Sequence, residues 1–431
     1  MKRNVGIISI CLFALIPILI WLNMVPLVGR FGGFSLSMTS LGQVTGLIGM
    51  VLFSLDLVLS ARIRWLEQYF WGLNSIYIWH HILGGLSLIF LLFHPILLVY
   101  RYVLLSLDIA VKFLFPGPTN PAVALGVAAL FLMMFLLVLT FYFRPKYNIW
   151  KSLHRFLGLA FLFAVGHVFL ITSDTSRNLF LRYYILGWAA MGILCIIYRS
   201  ILHKYLVERF TYTVSEIKKL DQSIWQIFLQ PQSKKLSFQA GQFVFVGFRG
   251  GEINGEFHPF SIASSPLEEN LQIVIKSLGD YTANLDKLKV GDRALVEGSF
   301  GIFTLTKDHS PKQIWIAGGI GITPFLSMAK SLTNEIKREI ELYYCVNEKT
   351  EAIFYEELKK IEEKNVGLKI FLFCSKEKGR ISAAIIKEMS GGVEGKDIFV
   401  CGPPMMMKSL KQQFIKLNVP KKHIHSEEFG F

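Results

Sequence analysis

The chain has 431 residues, 52% of them apolar or aromatic, and 45 Lys and Arg stand against 31 Asp and Glu for a net charge of +14. These averages conceal two regimes: residues 1–200 hold long apolar runs parted by short polar loops, and residues 205–431 have the mixed texture of a water-soluble chain. Much of the basic excess sits in the short loops of the first regime, where Lys and Arg mark the cytoplasmic side of a bilayer, so it does not point to nucleic acid. Five cysteines (Cys11, Cys195, Cys345, Cys374 and Cys401) form no Cys-x-x-Cys pair. That pattern argues against a disulfide framework or a zinc site and for a reducing compartment around the second half.

Six runs approach the roughly 20 apolar residues that a membrane span needs: 5–27, 42–60, 76–100, 122–143, 154–172 and 180–200. The first is too long for a signal peptide and no small-residue cleavage pattern follows it, so it reads as a retained span. Lys2, Arg3, Arg62, Arg64, Arg144, Lys146, Lys151, Arg155, Arg199, Lys204 and Arg209 flank one side. Only Arg30, Arg101, Lys112, Arg177 and Arg182 flank the other. Both ends of the chain are therefore expected in the cytoplasm.

Ionisable side chains within spans are costly and usually functional. The third span carries His80, His81 and His94, and the fifth carries His154 and His167. His80-His81-Ile82-Leu83-Gly84 resembles His154-Arg155-Phe156-Leu157-Gly158, which makes His80 the counterpart of His154. His80 and His94 lie 14 residues apart, nearly four turns, so they share a helix face about 21 Å apart along the axis. His154 and His167 lie 13 apart, roughly 140° off a common face in an ideal helix, so the fifth helix must bend or rotate. Four histidines at paired depths fit bis-imidazole haem, with His80 opposite His154 near the inner surface and His94 opposite His167 near the outer one. Zinc or copper would need more ligands at one depth. His81 is expected at a propionate or the lipid interface. Gly84, Gly85 and Gly158 either let a flat macrocycle approach or serve helix packing. Asp56, in the second span, receives no role.

Between 207 and 305, short strands alternate with turns, the pattern of a small antiparallel barrel. Along it run His258-Pro259-Phe260-Ser261, then Gly279-Asp280-Tyr281-Thr282, then Glu297-Gly298-Ser299-Phe300-Gly301. From 312 strands and helices alternate, as in a parallel sheet. The apolar strand Gln313–Ala317 runs into Gly318-Gly319-Ile320-Gly321-Ile322-Thr323-Pro324 and a helix starting at Pro324 or Phe325. Such a turn brings backbone N–H groups to a pyrophosphate at a helix N-terminus. Arg380 follows Gly379 after the third strand, and the strand Asp397–Val400 leads into Cys401-Gly402-Pro403.

Together these motifs resemble the ferric reductase/NADPH oxidase superfamily along essentially the whole chain, with compact prokaryotic NADPH oxidases nearest. The resemblance implies a multi-domain membrane protein: a six-helix transmembrane haem bundle plus a ferredoxin-NADP reductase-like module. That module comprises an antiparallel FAD-binding β-barrel and an α/β nucleotide-binding domain. The implied domains are 1–204, 205–308 for FAD and 309–431 for NADPH. His80, His94, His154 and His167 would ligate two b-type haems. His258, Pro259, Phe260 and Ser261 would line the flavin, with Ser261 near its N5, and Lys276, Gly279, Tyr281 and Thr282 would complete the FAD site. Gly318, Gly319, Gly321, Thr323 and Pro324 match the dinucleotide turn, Arg380 the contact to the 2′-phosphate, and Cys401, Gly402 and Pro403 the border of the nicotinamide. Phe431, closing the run from Glu427, matches an aromatic that covers the flavin. Ser261, Cys401 and Phe431 would thus stand at the hydride-transfer step.

The sequence departs from that pattern after the second nucleotide-domain strand, where Val346-Asn347-Glu348-Lys349 replaces an Arg-bearing run; Lys349 would offer a point charge and not a fork. No calcium-binding loop precedes the first span, so regulation by calcium is not expected. The implied activity is a plasma-membrane NADPH oxidase reducing external dioxygen to superoxide, with ferric-chelate reduction along the same path as the alternative. A Pro-rich outer loop, 101–121, would cap the outer haem against bulky acceptors. The bilayer and dioxygen are the expected partners, with no nucleic acid and no obligate protein subunit. A haem-binding sensor would not need the nucleotide turn, and a transporter would show charged midplane residues other than histidine pairs.

Overall fold

The computed structural model describes residues 5–143, 147–250, 253–277, 279–305, 309–333 and 338–427. It divides into two compact units, Met1–Leu206 and Val207–Phe431.

Six helical segments of the first unit are long and apolar enough to cross a membrane: Val5–Leu22, Phe34–Ser60, Leu73–Val103, Pro121–Phe141, Ile149–Leu170 and Leu179–Leu206. The second and third reach well beyond the apolar runs that announce them, because small and polar residues such as Ser35 to Ser40 are carried into the helix by their i→i+4 bonds. The second span is the central one, burying Leu47, Met50, Val51, Leu52, Phe53, Leu55 and Leu59. It packs along the third span, and the fourth packs along the fifth. The fifth span is two helices, Tyr147–Arg155 and Leu157–Leu170, with a break at Phe156. There the i→i+3 bonds from Phe156 N–H to Leu153 O (3.1 Å) and from Leu159 N–H to Phe156 O (2.9 Å) tighten the chain. Overwinding of this kind adds about 20° per residue and so supplies part of the rotation that the 13-residue histidine spacing demands.

Residues 101–121 are not a plain loop: Leu107–Leu114 is a helix, and Tyr102 packs on Phe113 with ring centroids 4.6 Å apart. Several basic residues expected on that face are engaged. Arg30 is buried, its Nη1 2.5 Å from Asp174 Oδ2, and Trp21 Nε1 donates to the same oxygen at 2.9 Å. Lys112 pairs with Asp108 at 2.6 Å, and Arg101 donates to Thr39 Oγ1 at 3.2 Å.

The second unit holds two sheets. The first is antiparallel: β1 (Arg209–Asp221), β2 (Ile224–Pro231), β3 (Phe243–Gly250), β4 (Ile253–Asn254), β5 (His258–Ser261), β6 (Leu271–Lys276) and β7 (Arg293–Phe300). Its order is β4-β3-β7-β1-β2-β6, with β5 on β3. Val214, Ile227, Val244, Val246, Ile273 and Val296 fill its core, as alternation along half-buried strands requires. The second sheet is parallel, of order β10-β9-β8-β11-β12: β8 (Lys312–Gly318), β9 (Glu339–Val346), β10 (Leu368–Cys374), β11 (Asp397–Cys401) and β12 (Ile424–Glu427). The strand β12 was not foreseen; it adds beside β11, with Ile398 opposite Ile424.

Candidate functional site

Two pairs of imidazoles face each other inside the bundle. His80 and His154 have ring centroids 5.8 Å apart, and His94 and His167 have theirs 6.1 Å apart. Because successive spans alternate in direction, the His80–His154 pair lies toward the end of the bundle at which Leu206 leaves it.

Three of the four rings are fixed through Nδ1. The Asp56 carboxylate stands 2.7 Å from His80 Nδ1. His94 Nδ1 is 2.7 Å from Gly42 O, and His167 Nδ1 is 2.8 Å from Ala122 O. A metal-bound histidine characteristically donates its other ring N–H in this way, which fixes the tautomer and leaves Nε2 for the metal. The fourth, His154, instead lies on Trp150, with centroids 5.1 Å apart and planes 11° apart.

Helix geometry explains the two carbonyl anchors. A side chain in a helix leans toward the N-terminus and covers the carbonyl of the preceding turn. Four residues after Gly42 comes Gly46, and four after Ala122 comes Gly126. A Cβ at Gly46 would lie 2.5 Å from His94 Nδ1, and one at Gly126 2.8 Å from His167 Nδ1. Each glycine thus uncovers the carbonyl that its histidine uses. Asp56, Trp150, Gly46 and Gly126 are missing from the sequence-based site. Only Asp56 carried a signal there, as an acidic residue inside a span. Of the glycines that were expected to matter, Gly84 faces the Asp56 carboxylate, Gly158 meets Ile196 and Gly85 meets open space. His81 is exposed, its ring 5.7 Å from that of His80.

In the second unit, β5 carries His258, Pro259, Phe260 and Ser261, set opposite Val246, Phe245, Val244 and Phe243 of β3. His258 stacks on Tyr281 at 3.9 Å, which joins this strand to the short helix Asp280–Ala283. Burial pushes the Tyr281 phenol up to about 12. Gly279 N–H donates to Thr282 Oγ1 at 3.0 Å, and Lys276 is exposed at the end of β6. At the other sheet, β8 enters the turn Gly319–Gly321 and the helix Ile322–Lys330. Gly319 adopts φ +53°, a left-handed conformation that glycine takes without strain. A Cβ on Gly321 would lie 2.4 Å from Cys401 O, and one on Gly402 2.9 Å from Gly318 Cα. The turn and the Cys401-Gly402-Pro403 loop therefore touch backbone to backbone.

Thr323 is buried and donates to Ile320 O at 2.7 Å, so it shapes the turn from within, beside buried Pro324. Cys401 is buried as well, and burial holds its thiol far above the ordinary cysteine range. Arg380 is exposed after Gly379. At the neighbouring strand end Lys376 pairs with Glu348, and Ser375 Oγ donates to Asn347 Oδ1 at 3.2 Å. Lys376 is thus the cation that meets the departed stretch. Phe431 lies outside the described residues.

The two sheets of this unit are latched together beside these motifs. Ser327 Oγ donates to Ser264 O at 2.6 Å, and Ser331 Oγ lies 3.2 Å from Ser265 Oγ. Lys330 Nζ is 2.9 Å from Glu357 Oε1 and 3.2 Å from Gln272 Oε1. Ser264 follows the His258–Ser261 strand by three residues, and Ser327 follows Thr323 by four, so the latch links the segments that carry these two motifs.

Residues 45–165 match the family described as ferric reductase like transmembrane component. Residues 209–316 match an FAD-binding domain and residues 315–412 the oxidoreductase NAD-binding domain. A bundle of membrane-length helices joined to these two domains defines an integral membrane NAD(P)H oxidoreductase of the flavoprotein type. The three domains in this order match the architecture of the ferric reductase/NADPH oxidase superfamily. Flavohemoprotein A of Dictyostelium discoideum is 27% identical over 234 residues, 49% of this chain and 59% of that protein. NADH-cytochrome b5 reductase 1 of Kluyveromyces lactis is 24% identical over 238 residues, 52% of this chain and 84% of that protein. A crystal structure of flavohemoglobin from Malassezia yamatoensis with bound FAD and heme is similar at a TM-score of 0.52 and 17% identity. That match covers 91% of this chain and 97% of the other, a likeness of fold alone. The chain spans less than two thirds of the length of Flavohemoprotein A.

Proposed function

We propose that the protein is a plasma-membrane NADPH oxidase that passes electrons from cytosolic NADPH, by way of FAD and two b-type haems, to external dioxygen and releases superoxide. The observation that carries this reading is the two facing histidine pairs, 5.8 and 6.1 Å apart at their centroids. Two metal–imidazole bonds of roughly 2 Å each, plus the ring radii, account for such separations. Among the described residues no group of three or more His, Cys, Asp or Glu is placed to hold a metal ion. Two imidazoles per level therefore suit a centre that brings its own equatorial ligands, as haem does.

When bound, FAD supplies the conversion of one hydride into single electrons and the haems supply one-electron carriers. The chain's own residues set the geometry. The turn from Gly318 to Gly321 admits a pyrophosphate close to the backbone, Arg380 and Lys376 offer cations to a 2′-phosphate, and Ser261 and the buried Cys401 flank the hydride step. His80 with His154, and His94 with His167, would hold the two haems.

Reduction of a ferric chelate by the same path is the second reading, favoured by the family match over residues 45–165. Against it, Arg30 is buried in an ion pair with Asp174, Lys112 is paired with Asp108 and Arg101 donates to Thr39, which ties up part of the positive charge that a bulky anion would need. The deciding assay is cytochrome c reduction by reconstituted protein supplied with NADPH and FAD. Suppression by superoxide dismutase supports the oxidase. Its failure, together with comparable ferric-chelate reduction under nitrogen, replaces it with the metalloreductase.

A further inference from the structure

The two histidine levels differ in the groups that face their Nδ1 atoms. At the His94–His167 level both Nδ1 atoms meet neutral backbone carbonyls, Gly42 O and Ala122 O. At the His80–His154 level, His80 Nδ1 lies 2.7 Å from the Asp56 carboxylate as well as 3.3 Å from the backbone Asp56 O, while His154 has Trp150 stacked on its ring. Asp56 is 7% exposed, on a helix whose neighbouring residues Ser54, Leu55 and Leu59 are buried. Among the described residues its one ion-pair partner is His80. In so dry a setting a charge acts strongly on its neighbours, because little solvent screens it.

We propose that Asp56 sets the order of the two haem potentials, and so makes electron flow from the His80–His154 level to the His94–His167 level downhill. This inference rests on the two-haem reading. A carboxylate that accepts the Nδ1 proton makes an imidazole a more basic ligand. A more basic axial ligand and a nearby negative charge both favour the oxidised, more positive iron, so the reduction potential at that level falls. Neutral carbonyls at the other level polarise their imidazoles less and leave its potential higher. Asp56 acts through His80 and is a positioning and potential-setting residue, not a catalytic one.

The test is a spectroscopic redox titration of the full chain in nanodiscs, with haem content measured alongside. In the wild type two one-electron waves are expected, and the wave lost in His94→Ala must be the higher one. If it is the lower one, the proposal falls without any variant of Asp56. In Asp56→Asn the lower wave should rise by a tenfold change in the one-electron equilibrium constant or more, about 59 mV, with the upper wave in place. Asp56→Glu, which keeps the charge, should restore the separation. Two bound haems with waves unmoved by Asp56→Asn would overturn the role of Asp56 alone. A wild type that binds fewer than two haems would overturn the underlying reading instead.

Discussion

Gly126 and Gly46 each leave room for one imidazole to reach a helical carbonyl. A methyl group at Gly126 would stand 2.8 Å from His167 Nδ1, so the ring must leave Ala122 O or the helices must part. Overpacking of this kind costs about 1–3 kcal/mol. On the proposed two-haem reading, Gly126→Ala and Gly46→Ala are expected to perturb or empty the His94–His167 level and spare the His80–His154 level. His94→Ala and His167→Ala should empty it outright, as reduced-minus-oxidised spectra and haem counts will report. On the proposed assignment, nucleotide selectivity rests on Arg380 and on the Glu348–Lys376 pair. NADPH should have the higher kcat/KM, and Arg380→Ala should cut it by about 1.5–3 kcal/mol, roughly ten- to a hundred-fold, with NADH little affected. Glu348→Gln removes a negative charge beside the 2′-phosphate position and should shift selectivity further toward NADPH. Equal kcat/KM for both nucleotides in the wild type would refute the assignment.

At the scale of elements, the spans and the strand-turn-helix of the nucleotide domain were legible because each repeats one local rule over many residues. The fifth span shows the limit of such rules. Spacing required the helix to rotate between His154 and His167, yet nothing in Phe156 itself marks the break that does it. The same limit hid Gly46 and Gly126, whose role exists only once two helices pack. It also hid β12, whose four residues (Ile424–Glu427) carry too short a pattern to register alone. What holds β12 in place is partly electrostatic. Buried Asp397 lies 3.1 Å from His425 Nε2 and 2.8 Å from His423 Nδ1, and Ser310 N–H donates to it at 2.5 Å. Burial alone would raise its carboxyl, but the contacts from His425, Ser310 and His423 outweigh that and hold it well below the usual carboxylate range. A depressed acid contributes stability that is full above its unfolded value of about 3.9 and is lost as pH falls through the folded one. Asp397→Asn should therefore lower the melting temperature of the reductase unit at neutral pH and flatten its loss of stability in acid. Parallel acid-unfolding curves for the two proteins would refute this.

At the scale of the whole molecule, the latch of Ser327, Lys330 and Ser331 against Ser264, Ser265 and Gln272 governs how the second unit behaves as one body. Ser327→Ala combined with Lys330→Met leaves polar groups without partners at about 1–3 kcal/mol each. Flavin reduction by NADPH should slow in stopped-flow traces while nucleotide binding holds, and Lys364→Gln, on the neighbouring surface, should change neither. The first unit is organised on a different plan. Its second and third spans form one hairpin, and its fourth and fifth form another. In each, the leading helix offers a carbonyl and, four residues on, a glycine; the returning helix offers a histidine at either end. The stretch from 45 to 165 that matches the ferric reductase family runs from within the second span to within the fifth, so it contains neither the first span nor the sixth. The two histidine-bearing hairpins thus share one plan. Asp56 has no counterpart in the second hairpin, where the histidine spacing, the break at Phe156 and the ring of Trp150 differ as well.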